Sequence, residues 1–172
     1  LGMGGNDTVR LVKEINSLDL TSVSAILSVS PYYNKPTQEG IYQHYKYLTE
    51  NISKPIIMYN VPGRTSKNIL PNTVLRLANE FKSIIGIKEA GNDINQYLEL
   101  INNRPDNFLI ISGDDDLALS SVVAGGDGVI SVIGQAFPQM FSKMIDDGLN
   151  NKILSAESAN NELCDIISLI FK

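Results

Sequence analysis

The chain has 172 residues, 43% hydrophobic and 19% charged, with a formal net charge of -5 from 14 Lys and Arg against 19 Asp and Glu. That balance is characteristic of a globular chain long enough to bury a core, and excludes a disordered or fibrous one. The basic residues are scattered rather than gathered into a stripe, which argues against nucleic acid, and no apolar run reaches the roughly 18 residues that a membrane span needs.

The start, Leu1 to Thr8, is Gly-rich and lacks the basic and apolar segments of an export signal, so a cytoplasmic protein is expected. Val12, Ile15 and Leu18 then recur at helical spacing and predict a first helix. Ala25 to Val29 is a short apolar run of strand length, followed by the helical stripe Ile41, Tyr45 and Leu48. His44 falls inside this stretch with no metal-ligand spacing around it and reads as helix surface. A second strand, Ile56 to Tyr59, precedes a helix opened by Pro71 and carrying Val74, Leu77, Ala78 and Phe81. Ile84 to Lys88 is a third strand, and Asp93 opens a helix whose apolar face is expected at Ile94, Leu98 and Ile101.

Phe108 to Ile111 is the fourth strand. Asp114 to Asp116 follow it as a capping cluster rather than a metal site, ahead of a helix with Leu119, Val122 and Val123 inward. Val129 to Ile133 is the fifth strand; Phe137, Met140, Phe141, Met144 and Ile145 form the next apolar stripe, closed near Gly148. A longer helix runs from about Lys152 to the C-terminus, and its Cys164, beside Leu163, Ile166 and Ile167, reads as a buried, reduced thiol.

Strands that are continuous apolar runs joined by helices form a parallel sheet buried on both faces, either an open doubly wound sheet or part of a barrel, and periodicity does not choose between them. In both architectures the C-terminal strand tips hold the active site. Here those tips carry Pro31-Tyr32-Tyr33, Tyr59-Asn60, Lys88-Glu89, Ser112-Gly113-Asp114 and Ser131. Alternation puts Ile84, Gly86 and Lys88 on one face, with Gly86 leaving room beside the amine, and Ile57 and Tyr59 on the matching face of the neighbouring strand. A lysine in that position is poorly solvated, which lowers its pKa toward that of a nucleophile able to attack a ketone; the plainer reading is a lysine reaching past the strand end to water. Arg64, after Val61-Pro62-Gly63, offers a planar fork for a substrate carboxylate. Neither Gly2-Met3-Gly4-Gly5-Asn6-Asp7 nor Gly125-Gly126-Asp127-Gly128 has the context of a nucleotide-binding loop.

Four motifs then occur in order: Ser30-Pro31-Tyr32-Tyr33-Asn34-Lys35-Pro36, Tyr59-Asn60-Val61-Pro62-Gly63-Arg64-Thr65, Gly86-Ile87-Lys88-Glu89-Ala90 and Gly128-Val129-Ile130-Ser131-Val132. From Gly2 to about Gly148 the chain resembles the dihydrodipicolinate synthase family, within the pyruvate-dependent, lysine Schiff-base superfamily that also holds N-acetylneuraminate lyase. The resemblance implies an α/β fold, the (β/α)8 TIM barrel. It is expected here as a C-terminal fragment with five of the eight strands in residues 1–150, and residues 151–172 as the start of a C-terminal helical region. Lys88 is implied as the residue that forms an imine with pyruvate, Tyr59 as proton shuttle and Tyr33 as the relay tyrosine reaching across a dimer interface. Arg64 is implied to bind the carboxylate of aspartate semialdehyde, with Gly113 and Ile130 lining the pyruvate pocket.

The same resemblance implies no metal or organic cofactor, and a homodimer or dimer of dimers. Asn6 and Tyr32 match a lysine-effector site, but Arg10 stands where lysine-sensitive members carry glutamate. The threonine pair of the family's proton relay belongs to strands not seen in this sequence, so the relay is incomplete here. Two other readings stand beside a synthase of the diaminopimelate and lysine route: a related aldolase acting on a hydroxylated sugar acid, against which Arg64 argues, and a non-catalytic fragment.

Overall fold

The computed structural model describes residues 1–170, and the expected course of the last helix beyond Ile170 lies outside them. Strands β1 (Ile26–Val29), β2 (Ile56–Asn60), β3 (Ile84–Glu89), β4 (Leu109–Ser112) and β5 (Gly128–Val129) form one sheet in the order β1-β2-β3-β4-β5. All four pairings are parallel. The helices are α1 (Thr8–Asn16), α2 (Gln38–Asn51), α3 (Pro62–Thr65), α4 (Pro71–Glu80), α5 (Ile94–Asn103), α6 (Ala118–Val123), α7 (Pro138–Leu149) and α8 (Ile153–Ile170). Starts follow side-chain chemistry: Asp7 accepts from Arg10 N at 3.0 Å, Thr37 from Gly40 N at 3.1 Å and Asp93 from Asn95 N at 3.0 Å, while Pro71 opens α4.

Strand order settles what periodicity leaves open. A doubly wound sheet reverses its order at a switch point, whereas sequential parallel strands with crossovers of one hand place every helix on the same face. This sheet follows the second pattern, that of a barrel wall. Within the described residues the two faces differ in burial. Ile26, Ile56, Met58, Ile87 and Ile110 on the helix-covered face are buried, whereas Leu27, Val29, Ile57, Tyr59, Lys88, Leu109 and Ile111 on the opposite face are only half-buried. Beyond β1, Gly2 makes a parallel bridge to Leu27, with Met3 N donating to Leu27 O at 2.9 Å. Sequence pattern gives no strand here, since a single bridge carries no periodicity.

Several expectations about individual residues change. β5 ends at Val129 rather than Ile133, because Val132 and Ile133 give their amides to the Asp115 carboxylate at 3.1 and 2.8 Å instead of to the sheet. Asp114 does cap, accepting from Asp116 N and Leu117 N; Asp115 is buried and clamps the loop after β5. In α5 the buried face is Gln96, Tyr97 and Leu100, with Leu98 exposed and Ile94 and Ile101 at its flanks. A glutamine tolerates that burial because its amide is fully engaged. Leu18 is exposed because α1 ends at Asn16, before reaching it; Val123 and Cys164 are exposed one helical step off their buried stripes, which in α8 is Ala156, Leu163 and Ile167.

His44 is buried rather than on the helix surface, because this side of α2 packs against α1. Its Nδ1 lies 2.7 Å from Thr8 Oγ1, and burial pushes its pKa down to about 4. The unfolded chain protonates near the ordinary value of 6.5, so between the two values only the unfolded state takes up the proton. This group's contribution is therefore undiminished above pH 6.5 and is lost as the pH falls toward 4, a cost of about 3 kcal/mol. Urea titrations at pH 7 and pH 4.5 are expected to show that loss in the parent chain and a shallower one in H44Q.

Candidate active site

At the C-terminal ends of β2 and β3, Tyr59 pairs in register with Lys88, and on the other side Lys88 pairs with Ile111. Both polar side chains project from the half-buried face. Lys88 Nζ stands 4.6 Å from the centroid of the Tyr59 ring. Burial depresses the Lys88 pKa below the usual lysine value, opposed by the charge of Asp115, and burial raises that of Tyr59, opposed by the Arg64 guanidinium. The amine is thus biased toward its neutral, nucleophilic form, while the phenol holds its proton.

Room for the amine comes from the residue just after β4, not from β3. At Gly86 an added Cβ would meet the Leu109 carbonyl oxygen at 2.7 Å, so that glycine allows close approach of β4 rather than space for the lysine. At Gly113 a Cβ would overlap Lys88 Cε and stand 3.0 Å from Lys88 Cγ. Gly113 is therefore the residue that leaves the lysine its path.

Arg64 lies in α3, whose Pro62 opens the turn and whose end is closed by Ser66 in the left-handed region at φ 58. An open cleft of about 520 Å³ contains Lys88, Tyr59, Arg64 and Gly113 in its wall, together with Asn92, Asp114, Asp116 and Val132. A second hollow of about 430 Å³, on the β1 side, shares Tyr59 and Arg64 and is bounded by Gly2, Met3 and Tyr32. Sequence pattern does not point to Asn92, because an isolated loop asparagine carries no periodicity. Ile130 is exposed and ties the β5 end to β4 through its N–H on Ser112 O at 2.8 Å.

Ile130 is not in the lining of that cleft, and two further groups of expected residues lie apart from it. Tyr33 is 88% exposed, with φ 72, on the loop after β1. Asn6 donates through Nδ2 to the Tyr32 carbonyl at 3.2 Å, and both border a separate hollow of about 320 Å³ with Arg10, whose Nε donates to Glu14 at 2.7 Å. Among the described residues, no group of three or more His, Cys, Asp or Glu side chains is placed to hold a metal ion, and no helix is long and apolar enough to cross a membrane.

The family model described as the Dihydrodipicolinate synthetase family matches residues 1–172. The chain belongs to that family. It is 54% identical over 172 residues to the 4-hydroxy-tetrahydrodipicolinate synthase of Flavobacterium psychrophilum, covering 100% of this chain and 59% of the relative. The corresponding protein of Porphyromonas gingivalis is 51% identical over 171 residues, with 99% and 58% covered. Among solved structures, the dihydrodipicolinate synthase of Thermotoga maritima superimposes with a TM-score of 0.94 at 37% identity, over 99% of this chain and 59% of its own. A dihydrodipicolinate synthase variant described as monomeric matches equally well, with a TM-score of 0.94 at 37% identity, over 99% of this chain and 58% of its own. The chain thus spans about 59% of the length of these relatives, and its five-stranded sheet corresponds to a C-terminal part of their TIM barrel.

Proposed function

We propose that this dihydrodipicolinate synthase family chain carries the imine-forming half of a 4-hydroxy-tetrahydrodipicolinate synthase, acting on pyruvate and aspartate semialdehyde. The observation that carries this reading is the Lys88 amine, depressed in pKa by burial and set 4.6 Å over the Tyr59 ring, in a cleft shared with Arg64. The neutral amine adds to the C2 ketone of pyruvate and water leaves, giving a protonated imine that acidifies the adjacent methyl. Tyr59 serves the proton transfers, first to the departing hydroxyl and then from the methyl carbon. The enamine attacks the aldehyde carbon of the semialdehyde, while Arg64 holds that substrate's carboxylate by a bidentate contact. Attack of the substrate's own amino group on the imine carbon closes the ring and releases Lys88. The protonated imine itself takes up the electron pair during deprotonation, so the chemistry asks for no further group.

Gly113 and Ile130 are assigned to the pyruvate pocket, and Tyr33 to a proton relay completed across an interface with a second copy, in a homodimer or dimer of dimers. The exposure of Tyr33 on a loop held away from its own cleft supports that role. Asn6 and Tyr32 are assigned to an effector site for lysine. Arg10, which stands where lysine-sensitive members carry glutamate, lies in the same hollow but is neutralised by Glu14, and Asp7 also borders it; a lysine titration of the trapping reaction measures whether the effector site responds. We place the protein in the cytoplasm, and residues 1–150 and 151–172 as barrel portion and start of the helical region.

The test is chemical trapping. The chain is incubated with pyruvate and borohydride and the peptides are mapped by mass spectrometry; a reduced pyruvyl adduct is expected at Lys88, and an adduct spread over surface lysines would overturn the assignment. The sugar-acid aldolase reading is separated by supplying aspartate semialdehyde or a hydroxylated sugar aldehyde to the pyruvate-loaded protein and measuring which one consumes the adduct. Arg64→Ala is expected to lower consumption of the semialdehyde by roughly 10- to 100-fold while leaving the pyruvate adduct intact, as removal of a charge-assisted contact to one substrate alone implies.

A further inference from the structure

Behind the cleft, on the helix-covered face, sits a fully buried carboxylate that the reaction does not touch. Glu89 follows Lys88 in β3 and pairs in register with Asn60, as Lys88 pairs with Tyr59. Asn60 Nδ2 donates to both Glu89 oxygens, at 2.9 and 2.8 Å. Gln96 Nε2 of α5 donates to one of them at 2.8 Å, and the Gly91 N–H donates to the other at 2.7 Å. Among the described residues, none of these four contacts comes from a cation. Burial pushes the Glu89 pKa up and these hydrogen bonds oppose the rise; the donors come from three separate pieces of chain, and each faces a carboxyl oxygen.

The connections run further. Asn60 Oδ1 accepts from Ile69 N at 2.9 Å, and Asn60 Nδ2 also donates to Asn68 Oδ1 at 2.6 Å. Asn68 and Ile69 lie in the segment that leads directly away from α3 and Arg64. One carboxylate therefore ties together the end of β2 that bears Tyr59, the end of β3 that bears Lys88, and the stretch that anchors the Arg64 turn. Alternation of side chains across the sheet leaves Tyr59 and Lys88 on the cleft face and their neighbours Asn60 and Glu89 behind it, one residue on in each strand. A slip of either strand end moves both members of the pair at once.

We propose that Glu89 is a positioning residue, which through Asn60, Gln96 and Gly91 fixes the Lys88 amine against the Tyr59 ring and sets the Arg64 turn beside them. Its influence is geometric rather than electrostatic: the charge that acts on the Lys88 amine is that of Asp115. The consequence for catalysis rests on the imine-forming reading given above; the placement of the two side chains does not.

Two substitutions test it in the full chain. E89Q keeps the shape but turns one acceptor into a donor facing the donors of Asn60 and Gln96. G91A is milder, since its added Cβ would stand 2.8 Å from Glu89 Oε1 and push the carboxylate off its partners. The first readout needs no reaction. In chain labelled with 13C at lysine Cε, assigned with K88R, the Lys88 signal carries the ring-current shift of Tyr59; that shift is expected to disappear in both variants while circular dichroism stays native. The second is the rate of borohydride-trapped pyruvate at Lys88, expected to fall roughly 10- to 100-fold, as displacement of a reacting group by about 1 Å implies. Adding N60D to E89Q reverses donor and acceptor across the same contact and is expected to recover part of the shift and part of the rate. Native variants that keep the wild-type shift would overturn the proposal. So would loss of the fold in both, which leaves Glu89 a purely structural role. If the parent chain traps no pyruvate, the functional reading falls, and the labelled-lysine comparison alone decides the role of Glu89.

Discussion

After incubation with pyruvate and borohydride, Lys88→Arg is expected to gain no mass at position 88, while its circular dichroism and melting curve stay close to those of the parent. Arginine preserves the long aliphatic stem and a positive charge, so the packing beside Gly113 and the contact with the Tyr59 ring are largely retained. What it lacks is a lone pair available at neutral pH, because a guanidinium does not deprotonate in this range. Imine formation is therefore abolished rather than slowed. The same experiment in the parent gives a pH dependence whose sign follows from the cleft. Burial lowers the Lys88 pKa, so the neutral amine persists to lower pH than on a surface lysine. Trapping at Lys88 is expected to exceed that at surface lysines most strongly near neutrality, with the difference shrinking as the pH rises toward 10.5. Peptide mapping of adducts across the pH series provides the measurement, and equal trapping at all lysines would remove the special status of Lys88.

The second large effect is expected from Gly113→Ala. A methyl group at this position overlaps Lys88 Cε and comes within 2.9 Å of Ala90 Cβ, so either β4 shifts outward or the lysine turns out of its path. The strand is the harder to move, since Gly113 N donates to Glu89 O at 2.6 Å and Ile130 N holds the Ser112 carbonyl on the other side. The lysine side chain, with its rotatable stem, gives way instead. Displacing the amine by about 1 Å from the Tyr59 ring is expected to slow pyruvate trapping at Lys88 roughly 100-fold. The thermal midpoint is expected to fall modestly, because turning the lysine away still leaves the added methyl against Ala90 Cβ, a contact that only a small backbone shift relieves. A G113A chain that traps pyruvate at the parent rate would show that the lysine does not react from the position seen here.

These two residues also show which features are readable along the chain and which are not. Strands at Ile26–Val29, Ile56–Asn60, Ile84–Glu89 and Leu109–Ser112 are legible because an apolar run with a polar tip, too short for a helix of its own, matches a buried strand that ends at a site. Lys88 and Tyr59 are legible for the same reason, since alternation along two adjacent strands places both on one face. The role of Gly113 is not legible in those terms. A glycine has no side chain to follow a pattern, and what it makes room for is set by a neighbouring strand. The exchange of roles with Gly86, which faces Leu109 rather than the amine, has that origin.

Burial of polar residues is the least legible feature, and the cause is uniform. His44, Gln96, Asp115 and Glu89 look like surface residues in a linear pattern, yet each is buried, and each is held by a partner distant in sequence: Thr8, Asn68, the Val132 and Ile133 amides, and Asn60. Local sequence contains the cost of burying such a group but not the partner that offsets it. By itself, then, the sequence determined the alternation of strand and helix, the end of the sheet at which chemistry collects, and the amine and phenol that meet there. Only the tertiary structure decided that the sheet is one wall of a barrel with a half-open inner face, which glycine makes way for the lysine, and which carboxylate stands behind it. Periodicity acts through neighbours along the chain, whereas strand order, close approach and hydrogen-bond satisfaction depend on segments that meet only after folding.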